Sequence, residues 1–164
     1  MKIRIATIAD LNSLVAIYNQ SIREGRITAH TKEFSTEERR PWFESHPSNQ
    51  YPIFVAELND EVLAYASLSP YRNGRLALSL TAEISYYVHF DHHRKGIGDK
   101  LIKHTIEFAQ ENGFETLLAI LMDGNEGSIG LLKKNGFSEW GRMPKVLSIG
   151  EDRLDHLYYG LQLK

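Results

Sequence analysis

The chain has 164 residues, of which 42% are hydrophobic and 24% charged, and a formal net charge of −2. That composition suits one domain, spanning 1–164, with a real core, and it excludes the strongly basic surface that a nucleic-acid or anionic-membrane partner would call for. Cysteine is absent, which excludes disulfides, cysteine nucleophiles and thiolate metal sites.

Met1-Lys2-Ile3-Arg4 opens an alternating segment, not a signal peptide, and no apolar run approaches the roughly 20 residues needed to span a bilayer. A cytoplasmic location is expected. Residues 2–6 read as a short strand. Thr7-Ile8-Ala9-Asp10 is an N-cap pattern with an acid three residues on, close to a capping box. Leu11, Leu14, Val15, Tyr18 and Ile22 then mark one helical face; core for Tyr18 and surface for Asn19 is the plain reading, with a substrate role at this helix end as the alternative. Residues 25–30 read as loop. Ser35-Thr36-Glu37-Glu38 is a second capping box, opening a helix with Trp42 and Phe43 that Pro41 keeps short or bent. His46 to Pro52 is a loop with two prolines. Ile53 to Leu58 and Val62 to Leu68 are strands joined by a tight turn at Asn59-Asp60-Glu61, a hairpin that Pro70 ends. Tyr71-Arg72-Asn73-Gly74-Arg75 is a basic loop.

The next stretch organises the chain. Glu83-Ile84-Ser85-Tyr86-Tyr87-Val88 alternates as a strand, with Glu83, Ser85 and Tyr87 on one face. The loop His92-His93-Arg94-Lys95-Gly96-Ile97-Gly98 leads into a helix whose face runs through Gly98, Leu101, Ile102, Thr105, Ile106 and Ala109, and Asn112-Gly113 stops it. A strand that passes through a basic, glycine-bearing loop into a helix is an anion site. The first helical amides have no intrahelical partner, and the dipole is positive there. The loop has neither the Gly-Lys-Ser/Thr of a Walker loop nor the third glycine of a dinucleotide fingerprint.

Residues 116–122 form a fully apolar run, the mark of a buried strand, and strand–helix–strand implies a parallel pair with a right-handed crossover. Asn125 is placed to cap a helix bearing Ser128, Ile129, Leu131 and Leu132, which Asn135-Gly136 ends. A last antiparallel pair runs from Phe137 and returns through Leu161, turning near Gly150-Glu151-Asp152. The fold class is therefore α+β: one mixed, mostly antiparallel sheet, a parallel pair in its middle, and helices on both faces.

His93-Arg94-Lys95-Gly96-Ile97-Gly98 resembles the pyrophosphate loop of the GNAT acyltransferase superfamily, Gln/Arg-x-x-Gly-x-Gly/Ala, with His93 at the first position. Thr81-Ala82-Glu83 resembles the phosphinothricin and methionine sulfoximine N-acetyltransferase branch, and residues 125–137 also fit the superfamily pattern. The resemblance implies a central parallel pair splayed into a V, with acetyl-CoA as cosubstrate in the gap. It further implies transfer of acetyl to the amine of a small amino-acid-like acceptor.

Expected roles follow. The amides of Arg94, Lys95, Gly96, Ile97, Gly98 and Asp99 hold pyrophosphate. Backbone groups of Tyr86, Tyr87 and Val88 pair with the pantetheine arm, and Asn125 contacts it as well as capping its helix. Glu83 takes the amine proton, although an outward-facing strand residue is the plain reading of its position. The Val88 N–H faces the developing oxyanion. Arg72 and Arg75 hold an anionic group on the acceptor, against the ordinary reading of loop arginines as solvated. By resemblance only, Thr28 and Phe34 line the same pocket and the chain forms a homodimer. Leu132 stands where the superfamily often has Tyr and this branch often His, residues proposed there to protonate the leaving thiolate. That keeps a catalytically silent acyl-CoA-binding sensor as a rival reading; a third, acetylation of a protein amine, would need an open acceptor groove in place of the closed pocket that Arg72 and Arg75 would make. No metal, nucleic-acid or membrane partner is expected: His89, His92 and His93 could ligate zinc by count, but His89 and His92 are read as solvated loop residues.

Overall fold

The structure is a computed structural model that describes residues 1–163. It contains strand β1 (Lys2–Ile5), helices α1 (Leu11–Glu24) and α2 (Thr36–Glu44), and the hairpin β2 (Ile53–Leu58) and β3 (Glu61–Pro70). β4 (Thr81–Val88), α3 (Ile97–Glu111), β5 (Thr116–Met122) and α4 (Glu126–Lys134) follow. A final hairpin, β6 (Ser138–Ile149) and β7 (Asp152–Gln162), completes the chain. The strands form a seven-stranded sheet in the order β1-β2-β3-β4-β5-β7-β6, antiparallel except between β4 and β5. The α+β class and the central parallel pair are as the sequence implies.

The local signals act where they stand. Asn59 and Asp60 both take positive φ (52° and 63°), which makes the β2–β3 turn one whose twist matches its strands. The Ser35 hydroxyl accepts from the Glu38 N–H, and the Glu38 carboxylate accepts from the Ser35 N–H at 2.8 Å. The structure departs from the sequence reading at the start of β4 and at Asn19. β4 begins at Thr81, two residues before Glu83, because the Thr81 carbonyl already accepts from the Tyr71 N–H. Asn19 is buried, not surface. Its side chain donates to the Phe34 carbonyl at 2.8 Å and accepts from the Phe34 N–H at 3.0 Å, so it pins the strap between α1 and α2.

Period-two alternation sends β2, β3 and β4 side chains to two cores. Ile53, Val55 and Tyr65, with Tyr87 beside them, pack under α1 and α2. Phe54, Ala56, Ala64 and Ala66 pack under α3 through Ile97 and Leu101. The third core, beneath α4, includes Leu132, which is 1% exposed. Truncating it leaves a cavity, so Leu132→Ala is expected to cost about 2–5 kcal/mol in stability. Turnover per folded molecule should stay near parental, since Leu132 brings no acid to lose; urea denaturation read beside activity checks both.

Candidate active site

The site begins where two strands part. β4 and β5 are in register only at Thr81↔Thr116, Ala82↔Leu117 and Glu83↔Leu118, although β4 continues to Val88 and β5 to Met122. Backbone direction decides what the gap offers. The His89 N–H donates to Leu63 O at 2.8 Å, and the Tyr71 N–H donates to Thr81 O at 3.3 Å. Odd-numbered residues of β4 therefore turn their polar groups to β3. By alternation, Tyr86 and Val88 turn theirs toward β5, which has moved away. Tyr87 is aligned with Tyr65, so its backbone belongs to the β3 ladder and only its ring reaches the site.

The gap opens into a cleft of about 600 Å³ between β4, the loop before α3, and α4. Tyr86, Tyr87, Val88, Arg94, Gly96, Ile97, Gly98, Asp99 and Asn125 line it. Lys95 does not; its ammonium donates to the Asp91 carbonyl at 2.9 Å. The two glycines serve different ends. Gly96 has φ +75° with open space where a Cβ would sit, so its backbone conformation is what calls for glycine. Gly98 has no such constraint; a Cβ there would come 2.9 Å from Leu131 Cδ2, so a larger residue would make the end of that side chain shift where α3 approaches α4.

No side chain caps the N-terminus of α3. Its first intrahelical bond is from the Lys100 N–H to Gly96 O at 3.2 Å, which leaves the amides of Ile97, Gly98 and Asp99 without intrahelical acceptors. These amides fit a pyrophosphate. The Asp99 carboxylate in the same turn is offset by the Lys103 and Lys134 ammoniums, each at 3.0 Å, and Lys134 first and Lys103 next hold its pKa down to about 2. His93, at the first position of the loop pattern, donates from Nε2 to the Val88 carbonyl at 2.9 Å and so ties the loop to the strand end. Asn125 Oδ1 accepts from the Ser128 N–H at 3.2 Å, capping α4 at the cleft wall.

A second concavity, of about 370 Å³, lies on the α1–α2 side of the sheet. Glu83, Ser85 and Tyr87 form one row along it, and Ser67 and Ser69 come from β3 opposite Ser85 and Glu83. Glu83 sits at the last paired position before the strands part. Burial raises its carboxyl pKa above the ordinary carboxylate range. It has no hydrogen-bond or ion-pair partner among the described residues. Tyr87 and Ile27 line both concavities, so the two meet there.

The other expected acceptor residues separate. Thr28 is buried, lines this concavity and lies 2.7 Å from Tyr18 Oη. Phe34 stands behind it, with its ring edge-on to His30 at 5.0 Å. Arg72 and Arg75 are exposed on the β3–β4 connection and do not line the concavity; Arg72 takes φ +53° there. The sequence reading missed Arg39, Trp42, His30, His46 and His156, which do line it. Burial lowers all three histidine pKa values below the usual one, with a smaller contribution from the Arg39 charge at His30 and His46. The Arg39-x-x-Trp42 spacing, which puts a cation and a ring on one helical face, was the only local signal for any of them. Among the described residues no cluster of His, Asp or Glu side chains is arranged to hold a metal ion, and no helix is long and apolar enough to cross a membrane.

Comparisons with known proteins agree with this geometry. The model of the acetyltransferase (GNAT) family matches residues 17–137. An L-methionine sulfoximine/L-methionine sulfone acetyltransferase of Pseudomonas aeruginosa is 38% identical over 147 residues, covering 88% of this chain and 84% of that one. An L-amino acid N-acyltransferase of Escherichia coli, MnaT, is 32% identical over 163 residues, covering 99% and 94%. The crystal structure of a GNAT superfamily phosphinothricin acetyltransferase from Sinorhizobium meliloti, in complex with acetyl-CoA, matches with a TM-score of 0.92 at 29% identity. It covers 98% of this chain and 87% of that one.

Proposed function

The chain belongs to the GNAT acetyltransferase family, and we propose that it moves the acetyl group of acetyl-CoA to the amine of a small amino-acid-like acceptor, of the phosphinothricin or methionine sulfoximine type. One observation carries the reading: a cleft that ends on helix amides without intrahelical acceptors meets a smaller concavity holding a half-buried carboxylate with no partner among the described residues, at the point where β4 and β5 part. The amides of residues 94–99 bind the pyrophosphate, and the β5-facing backbone of Tyr86 and Val88 takes the pantetheine arm as an added strand.

Glu83 takes a proton from the acceptor ammonium, directly or through a water, because an ammonium has no lone pair with which to attack a thioester. The amine nitrogen bonds to the acetyl carbon, the carbon–sulfur bond breaks, and the second proton of that nitrogen passes to the released thiolate or to water, which leaves the neutral amide. The Val88 N–H donates to the carbonyl oxygen as charge builds on it. The leaving thiolate, with a pKa near 8.5 judged from cysteine, departs at neutral pH with little help, which is how Leu132 is tolerated.

An acceptor concavity of about 370 Å³ suits a small molecule better than a protein terminus. The test is release of CoA thiol across a panel of acceptors. Methionine sulfoximine, methionine sulfone or phosphinothricin should be turned over faster than polyamines, and the reverse order overturns the acceptor class. A cytoplasmic homodimer belongs to the same proposal. The edge strand β6 supports it, since it exposes Trp140, Met143 and Val146. A monomer by light scattering at assay concentration removes the dimer.

A further inference from the structure

We propose that Arg39 holds the carboxylate of the acceptor and so sets the preference for amino acids over simple amines. This rests on the acetyl-transfer reading and names what its acceptor must carry. The Arg39 guanidinium carbon lies 4.1 Å from the centre of the Trp42 ring, 4.7 Å from that of Tyr18 and 5.2 Å from that of Phe34. Three rings crowd the guanidinium and fix its plane. Such stacking engages the faces of the guanidinium and leaves its N–H groups, which point outward in that plane, to find acceptors elsewhere; the Tyr65 side chain is one.

The protein supplies almost none. Among the described residues no Asp or Glu forms an ion pair with Arg39, and its Nε is buried without a hydrogen-bond partner. Arg39 as a whole is half-buried, but a buried donor left in this way is costly unless a ligand completes it. Among the described residues, Arg39 is also the only lysine or arginine that lines the concavity holding Glu83. His30 and His46, which line the same concavity, both sense the Arg39 charge. The concavity thus holds both a proton acceptor and a cationic fork. A small molecule with an amine and a carboxylate matches the two. Arg72 and Arg75, chosen from the sequence for this task, lie outside it.

The test uses L-methionine sulfone and the amine left when its carboxylate is removed, because the sulfone is neutral and the pair differs only in the group at issue. Calorimetry measures both against the CoA complexes of the parent, Arg39→Gln and Arg39→Lys. The parent should prefer the amino acid. Arg39→Gln should weaken the amino acid roughly tenfold to a hundredfold, the range for a charge-assisted hydrogen bond, and leave the amine unchanged or tighter. Arg39→Lys keeps the charge without the fork and should lose affinity for the amino acid only, by a smaller factor. Acetyl-CoA affinity should not move in either variant. Equal weakening of both probes, or of neither, overturns the proposal and leaves Arg39 as packing between α1 and α2; so does a parent that binds the two probes equally or binds neither. A parent that prefers the amino acid but releases no thiol from acetyl-CoA leaves Arg39 in place and overturns acetyl transfer instead.

Discussion

Replacing Glu83 by Gln is expected to lower kcat/KM by about 10²–10⁴, the usual worth of a general base, while acetyl-CoA affinity barely changes. The two parts of that expectation have separate causes. Glu83 lines the α1–α2 side of the sheet and not the cleft that takes the cofactor, so acetyl-CoA has little to lose. Gln keeps the shape and removes only the capacity to hold a proton. The pH dependence has a definite sign. A free α-amino group has a pKa of roughly 7.7–8.0, against about 4.3 for an ordinary Glu. Burial raises the Glu83 pKa, which narrows that difference and makes it a stronger base than it would be in water. Activity requires the carboxylate form, so parental kcat/KM should fall as pH drops through the raised pKa of Glu83. In Glu83→Gln that dependence should vanish, leaving only the titration of the acceptor amine. Near-parental kcat/KM at neutral pH and on the alkaline plateau alike would place the base elsewhere or mean that the acceptor arrives neutral.

The second large effect concerns cofactor binding. Gly96→Asp is expected to weaken acetyl-CoA by at least about tenfold to a hundredfold. The substitution puts a negative side chain beside the amides that receive the pyrophosphate, where only an anion from the ligand is wanted. It also places a Cβ on a residue with φ +75°. Gly96→Asn separates the two causes, because Asn has nearly the same shape and tolerates the left-handed conformation without bringing a charge. Calorimetric titration should show a much larger loss for Asp than for Asn. Parental affinity in the Asp variant would mean that the pyrophosphate lies elsewhere.

Much of this was legible before the structure, and the reasons are local. The alternation of Glu83, Ser85 and Tyr87 against Ile84, Tyr86 and Val88 is strict, because both faces of β4 are covered by different elements. The glycine pair Gly96 and Gly98 marks a left-handed turn and a close approach, both of which favour glycine. The acceptor concavity was not legible in the same way. Its wall is assembled from α1, the strap after it, α2, β3, β4, β5 and β7, so its residues come together only through the fold. Arg39 sits in a polar helix opened by a capping box, where a charged residue reads as surface. His156 reaches the site because it is aligned with Met122 across β5 and β7. Arg72 and Arg75 were chosen for closeness in sequence to Glu83, but the connection between β3 and β4 carries them out to solvent. Asn19 read as surface because a polar residue near a helix end usually is. Its burial depends on the backbone of Phe34, fifteen residues away.

The most direct test of the account is to supply acetyl-CoA labelled in the acetyl group, with methionine sulfone as acceptor, and to count products by mass spectrometry alongside released thiol. Direct transfer predicts one labelled N-acetyl amino acid for every thiol, with both rates falling together in Glu83→Gln. Thiol release without acetylated acceptor, or tight binding of acetyl-CoA with no thiol released for any amine, would contradict it.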